Sequence, residues 1–292
     1  MAAAVVLGAA LCAAAPAGGG TLAAGTGGAA APPRPHRIVS LNLCADQLLM
    51  ALADRDQIAG LTWLSANPML SADAAAGLTY PRHHGSAEAV LALRPDLVIA
   101  SRFTAPDEVA AVRRAGVPLL MLPVPATIAQ VEAQIAEVAA AIGQPQRGAA
   151  INRDIAASLA AAPPAGKPPL RAIVVSPNGF TVGAGSLADD VMQKAGLVNL
   201  AAEQGLAGYD RVPLERIARA GADLLIFDAD PDGAPALAGE LRHHPALIRL
   251  AAQASLVDMP SKYWTCGGPG VATAVRLLSA AAREVAAEKA TQ

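Results

Sequence analysis

Residues 86–100 read SAEAVLALRPDLVIA. Ser86 is a side chain of the type that caps a helix, accepting a hydrogen bond from one of its first free backbone N–H groups. Glu88 falls in the first turn, where a carboxylate suits the positive end of the helix dipole. Apolar residues follow, and Pro95 stops the helix. Asp96 then leads into Leu-Val-Ile-Ala, an unbroken apolar run of the kind that forms a strand covered on both faces. A capped helix feeding a buried strand is part of a βαβ unit, and such units build parallel sheets flanked by helices.

The arrangement recurs. Glu215 precedes Asp223-Leu224-Leu225-Ile226 at the spacing that separates Glu88 from Asp96-Leu97-Val98-Ile99. A weaker echo sets Ala45-Asp46 beside Ala188-Asp189, which chance similarity of common βα units explains as well as duplication does. In the first half the pattern gives strands at 37–41, 57–62, 96–100 and 117–122, and helices at 45–53, 86–93, 106–115 and 128–142. Residues 145–162 have few breakers and run into a cluster of Pro, Ala and Gly, predicting a helix roughly 25 Å long that suits a rod between lobes. In the second half, strands are predicted at 171–176, 223–228 and 256–259, with helices at 186–195, 213–220 and 269–289. The expected fold class is α/β: two lobes, 36–144 and 168–289, each a parallel sheet covered by helices, joined by one long linker helix at 145–163.

The chain has 292 residues, 53% of them hydrophobic, which is enough for one large or two medium cores. Lys and Arg number 22 against 24 Asp and Glu, and this balance excludes the broad basic face that duplex nucleic acid requires. Residues 1–33 carry no charged side chain; an apolar stretch is followed by a Gly/Ala/Pro-rich one. An apolar core with small-residue cleavage sites is the pattern of a secretory signal, although the basic start of such a signal is missing. Residues 1–35 are therefore read as a signal peptide and flexible lead-in, and the mature protein as exported. Cys12 leaves with the signal. Cys44 and Cys266 then remain either as an even pair in an oxidising compartment or as two unrelated buried thiols.

No nucleotide-cradling glycine loop, no HExxH and no CxxC is present. His243-His244 precedes Pro245 and reads as solvated surface, whereas His83 lies in a loop that a cleft could use. A metal site needs three or four ligands spread over both halves, and none can be assembled. The aromatics are more telling, because only 3% of residues are aromatic. Trp63, Phe103, Phe180 and Tyr263-Trp264 each follow a predicted strand, and Tyr209 sits in a Gly-flanked loop. Open α/β sheets bind ligands just past the C-terminal ends of their strands. These residues predict a cleft for a large, flat or partly apolar ligand.

These segments resemble the periplasmic substrate-binding proteins of the cobalamin and ferric-siderophore class, which serve ABC importers. The resemblance covers 36–285 and is carried by RIVSLNLCADQLLMALA (37–53), IAGLTWLSANP (58–68), GSAEAVLALRPDLVIASR (85–102), GVPLLML (116–122), GSLADDVMQKAGLVN (185–199) and VPLERIARAGADLLIF (212–227). It implies two α/β lobes with the ligand cleft between them, limited hinge motion, no enzymatic activity, no cofactor, a monomer in the periplasm, and an inner-membrane permease dimer as partner. It also implies that Glu88 and Glu215, one per lobe, dock onto permease arginines, which bind carboxylates bidentately. The implied cleft is lined by Trp63, His83, Arg102, Phe103, Phe180, Tyr209, Tyr263 and Trp264. Some cobalamin-binding relatives are richer in Trp there. Arg102 with Lys262 instead suits an anionic ligand such as a carboxylate- or catecholate-bearing ferric chelate. By the same resemblance Cys44 and Cys266 lie on cleft-side loops of opposite lobes, either clasping them as a disulfide or contributing to the ligand site. The expected function is capture of a corrinoid or ferric-siderophore chelate and its delivery to the permease. The alternative is binding of haem or a metal ion through His83, a tyrosine or Cys44. A chelatase-like enzyme of the same architecture conflicts with the export segment.

Overall fold

The computed structural model describes residues 34–162, 168–176, 179–213, 221–227 and 254–291, together with Arg216, Arg219 and Pro245. The expected signal segment, the body of the helix expected at 213–220, Glu215 and His243-His244 lie outside the described residues.

The first half runs β1 (Ile38–Ser40), α1 (Leu43–Leu52), β2 (Ile58–Thr62), α2 (Ala74–Gly77), β3 (Arg82–His83), α3 (Ala87–Ala92), β4 (Leu97–Ser101), α4 (Pro106–Arg114), β5 (Leu119–Leu122) and α5 (Ile128–Ala141). Then α6 (Pro145–Ala160) leads to β6 (Leu170–Val175), β7 (Phe180–Val182), α7 (Leu187–Lys194), β8 (Leu197–Asn199), α8 (Leu200–Glu203), β9 (Tyr209–Arg211), β10 (Leu224–Phe227), β11 (Ser255–Asp258) and the closing helix, here α9 (Gly270–Ala290). Helix starts follow the sequence signals. Asn42, Ser86, Thr127 and Ser186 each accept a backbone N–H with the side chain, and Pro106 and Pro145 open α4 and α6.

Two parallel sheets form, in the orders β3-β2-β1-β4-β5 and β11-β10-β6-β8, beside the antiparallel pair β7–β9. The repeated Asp-led strand has a structural cause. Asp96 accepts the backbone N–H groups of His36 and Arg37 at 2.7 and 2.9 Å, and Asp223 accepts that of Arg171 at 2.7 Å. In each lobe this carboxylate ties the start of one central strand to its neighbour.

Strands β3 and β8 and the small antiparallel pair β7–β9 were not expected from the sequence. Nor is α6 a free rod. Ile155 is fully buried, and Gly148 lets α6 approach α5 so closely that a Cβ there would sit 2.6 Å from that of Ala139. At its start, Arg147 and Arg34 both hold Asp54, and these bonds keep the Asp54 carboxyl down at about 2.

The sheets are not independent bodies. One buried cluster contains Ile38, Leu61 and Ile99 of the first, Val174, Leu224 and Ile226 of the second, and α9 residues Val271, Val275 and Leu278. Where the lobes meet, Ile128 N–H donates to Asp190 at 2.7 Å, the Gln134 amide to Gly267 O at 3.2 Å, and the Lys262 ammonium to Pro68 O at 3.2 Å. A Cβ on Gly267 would lie 2.2 Å from Pro125 Cγ. Gly267→Ala is therefore expected to force this seam apart and destabilise the protein by about 1–3 kcal/mol, the usual range for overpacking. Urea unfolding checks it; a midpoint unchanged from wild type counts against so tight a seam.

Candidate functional site

The seam fixes which edges of the sheets face each other. Cys44 lies just past the end of β1 and Cys266 just past β11, and a disulfide joins them, with Cα atoms 5.0 Å apart. Pro68 follows β2 and Lys262 follows β11; Ile128 opens the helix after β5. All are residues beyond C-terminal strand ends, so the two C-terminal edges confront one another. In parallel sheets that is the edge at which ligands bind.

On the first lobe this edge carries Trp63, 47% exposed, after β2, and Phe103, 75% exposed, after β4. The Arg102 guanidinium lies 5.2 Å above the Phe103 ring. The second lobe presents β7–β9. Phe180 pairs with Arg211 and Val182 with Tyr209, and residues two apart share a strand face. Arg211 stands 5.3 Å over the Phe180 ring, and Tyr209 is 64% exposed. Tyr209 thus belongs to a strand, not the loop that its flanking glycines suggested. Tyr263 is half-buried, with Lys262 5.8 Å from its ring centre.

Two expected contact residues turn inward. Trp264 is buried in the core shared by both lobes. His83 is buried too: its Nδ1 accepts Gly85 N–H at 3.0 Å, so Nε2 carries the proton and donates to Ser40 O at 2.9 Å. Burial lowers its basicity, and both nitrogens are used. Its neighbour His84 is the exposed one, with its ring centre 6.0 Å from that of Trp63. Strand alternation along β3 explains the exchange, because consecutive side chains point to opposite faces. Reading the sequence missed His84 and Arg211; a strand assignment at 82–83 and 209–211 was the signal that could have found them.

Beneath Trp63 lies a polar knot. Asp46, in the first turns of α1, is fully buried; it accepts the Ser40 and Thr62 hydroxyls and the Thr62 N–H at 2.9 Å. Burial pushes its carboxyl up to about 6 against the pull of these bonds. Glu88 is exposed in the first turn of α3. Among the described residues no cluster of three His, Cys, Asp or Glu could hold a metal ion, and no helix is long and apolar enough to cross a membrane. A cavity of about 570 Å³ opens between Arg171, Asp223, Arg283 and Lys289, but at the opposite, N-terminal edge of the second sheet.

The family described as "Periplasmic binding protein" matches residues 38–261. The chain belongs to that family. No curated protein sequence matches it. Among solved structures it is similar to the periplasmic haem-binding protein RhuT of Roseiflexus sp. RS-1, at 25% identity and a TM-score of 0.69, covering 86% of this chain and 99% of that one. A second, the periplasmic haem-binding protein BhuT in complex with two haems, is also 25% identical, with a TM-score of 0.69, covering 87% of this chain and 99% of that one. The vitamin B12-binding protein BtuF of Vibrio cholerae shares the fold at 18% identity and a TM-score of 0.63, covering 87% and 99%.

Two measurements follow for this binding protein. Thiol titration of the unreduced, unfolded full chain is expected to find one reactive thiol, that of Cys12, of its three cysteines, and all three after reduction; three before reduction would exclude the bond. Because the Asp46 pKa is higher folded than unfolded, the folded state holds the extra proton between about 4 and 6. Stability is expected to fall as pH rises through that window, and Asp46→Asn to remove the slope in urea unfolding. An unchanged slope in the variant would assign it to another group.

Proposed function

We propose that this chain is the substrate-binding component of an ABC importer and that its ligand is haem. The observation that carries the reading is the pair His84 and Tyr209. They are side chains able to ligate iron, His84 exposed just past β3 of the first lobe and Tyr209 exposed on β9 of the second. Around them stand Trp63, Phe103 and Phe180, apolar surfaces for a porphyrin face, and Arg102 and Arg211, guanidinium groups suited to its two carboxylates. Arg211 shares a strand face with Tyr209, which sets a positive charge beside the phenol. A ferric siderophore already saturates its metal and needs no iron ligand from the protein. The two relatives at 25% identity, both named as haem-binding, support the same choice.

Capture and release leave the covalent structure of the ligand unchanged. Glu88, exposed at a helix start, and Glu215 supply the carboxylates for docking onto permease arginines, one from each half of the chain. In this reading the signal segment is removed on export and the monomer works in the periplasm.

Titration with haemin, followed at the Soret band, tests the ligand. A saturable 1:1 shift is expected, with Tyr209→Phe changing the bound spectrum and weakening binding by about tenfold or more, as loss of a metal ligand does. No saturable change with haemin, together with a raised melting temperature in cyanocobalamin or a ferric siderophore, would overturn it.

A further inference from the structure

The polar knot around Asp46 is not required by helix or sheet formation. Its carboxylate stands in α1, yet every hydrogen bond it accepts comes from a strand end: Ser40 closes β1 and Thr62 closes β2. The Ser40 carbonyl in turn receives the proton of His83 Nε2, on β3. The Thr62 carbonyl accepts the Ser65 hydroxyl at 2.8 Å, which fixes the tight turn that contains Trp63. The buried carboxylate thus joins the ends of β1 and β2 directly, and each of those ends carries one further bond, Ser40 O to β3 and Thr62 O to the turn. Two exposed side chains of this wall are the next residues along the chain, Trp63 after Thr62 and His84 after His83.

We infer that Asp46 is the positioning residue of the first lobe's ligand wall, holding Trp63 and His84 in place by tying together the ends of β1 and β2, to which the Trp63 turn and β3 are in turn bonded. This rests on the reading of that wall as the ligand site.

The second lobe repeats the device with different donors. Asp189, buried in the first turn of α7, accepts the Asn199 amide at 3.0 Å, and the same amide nitrogen donates to Val182 O at 3.0 Å. Val182 is the strand partner of Tyr209. In both lobes a buried carboxylate at a helix start therefore lies one or two bonds behind an exposed ligand-wall side chain. The burial that pushes the Asp46 carboxyl upward separates this role from simple stabilisation, because keeping a charge there weakens the fold at neutral pH.

The atoms specify which substitution keeps the function. Oδ1 accepts both Ser40 Oγ–H and Thr62 N–H, and Oδ2 accepts only the Thr62 hydroxyl. In Asp46→Asn, Oδ1 keeps its two bonds, and the amide nitrogen donates to the Thr62 oxygen once that hydroxyl turns round. Asp46→Leu keeps the volume and loses all three.

Fluorotryptophan labelling of the full chain gives one 19F resonance each for Trp63 and Trp264, assigned with Trp63→Phe. In the ligand-free protein, Asp46→Leu is expected to shift and broaden the Trp63 resonance and to weaken haemin binding about tenfold, as loss of a supporting shell does. Asp46→Asn is expected to restore both, and Asp189→Leu to leave the Trp63 resonance in place. If Asp46→Leu does not fold, Ser40→Ala and Thr62→Val each cut one arm and are expected to move the same resonance. An unmoved Trp63 resonance in Asp46→Leu, or equal displacement by Asp46→Leu and Asp189→Leu, overturns the inference. A displaced resonance in a protein that binds no haemin even as wild type supports the positioning role and overturns the haem reading alone.

Discussion

The bond between Cys44 and Cys266 joins the C-terminal strand edges of the two lobes, the edges at which parallel sheets bind ligands. Everything about the cleft depends on that seam. The tie closes a loop across a separation of 222 residues, which in the chain-entropy account removes roughly 5 kcal/mol of freedom from the unfolded state. It is not alone: Gly267 packs against Pro125, Trp264 is sunk into the common core, and Gln134 and Lys262 bond across the junction. Ties at this many points limit how far the two lobes can part, which favours a preformed cleft. Such a cleft loses little free energy to ordering when it binds, and affinity gains by the difference.

Within that frame each lobe divides its polar groups into two sets. Asp46, His83 and Asp189 face inward, where their bonds to strand ends set positions. Arg102 and Arg211 face the opening, each laid over an aromatic ring, so that apolar surface and positive charge come as one unit. Trp63 beside His84 is a third aromatic unit. A planar ligand with anionic edges matches such a lining in shape and in charge.

Much of the architecture was legible because it rests on local chemistry. Ser86 and Ser186 cap helices, Pro106 and Pro145 start them, and the apolar runs after Asp96 and Asp223 leave no other fate than a buried strand. The echo of Asp46 and Asp189, ambiguous in sequence, corresponds to one buried carboxylate per lobe at the start of a helix. What escaped was set by tertiary contacts over very short elements. β3 has two residues, too few to show alternation, so the sequence does not separate His83 from the exposed His84. β9 is exposed throughout, so Tyr-Asp-Arg resembled a loop and Arg211 was overlooked. Trp264 follows a strand like the other aromatics, yet the chain there turns into the seam and not into the opening.

The most direct test is an iron anomalous-difference map from crystals of the haemin complex. The account calls for one iron peak between the facing C-terminal edges, within bonding distance of Tyr209. A peak at the cavity beside Arg283 and Lys289, or iron in the cleft without Tyr209 or His84 as a ligand, would contradict it.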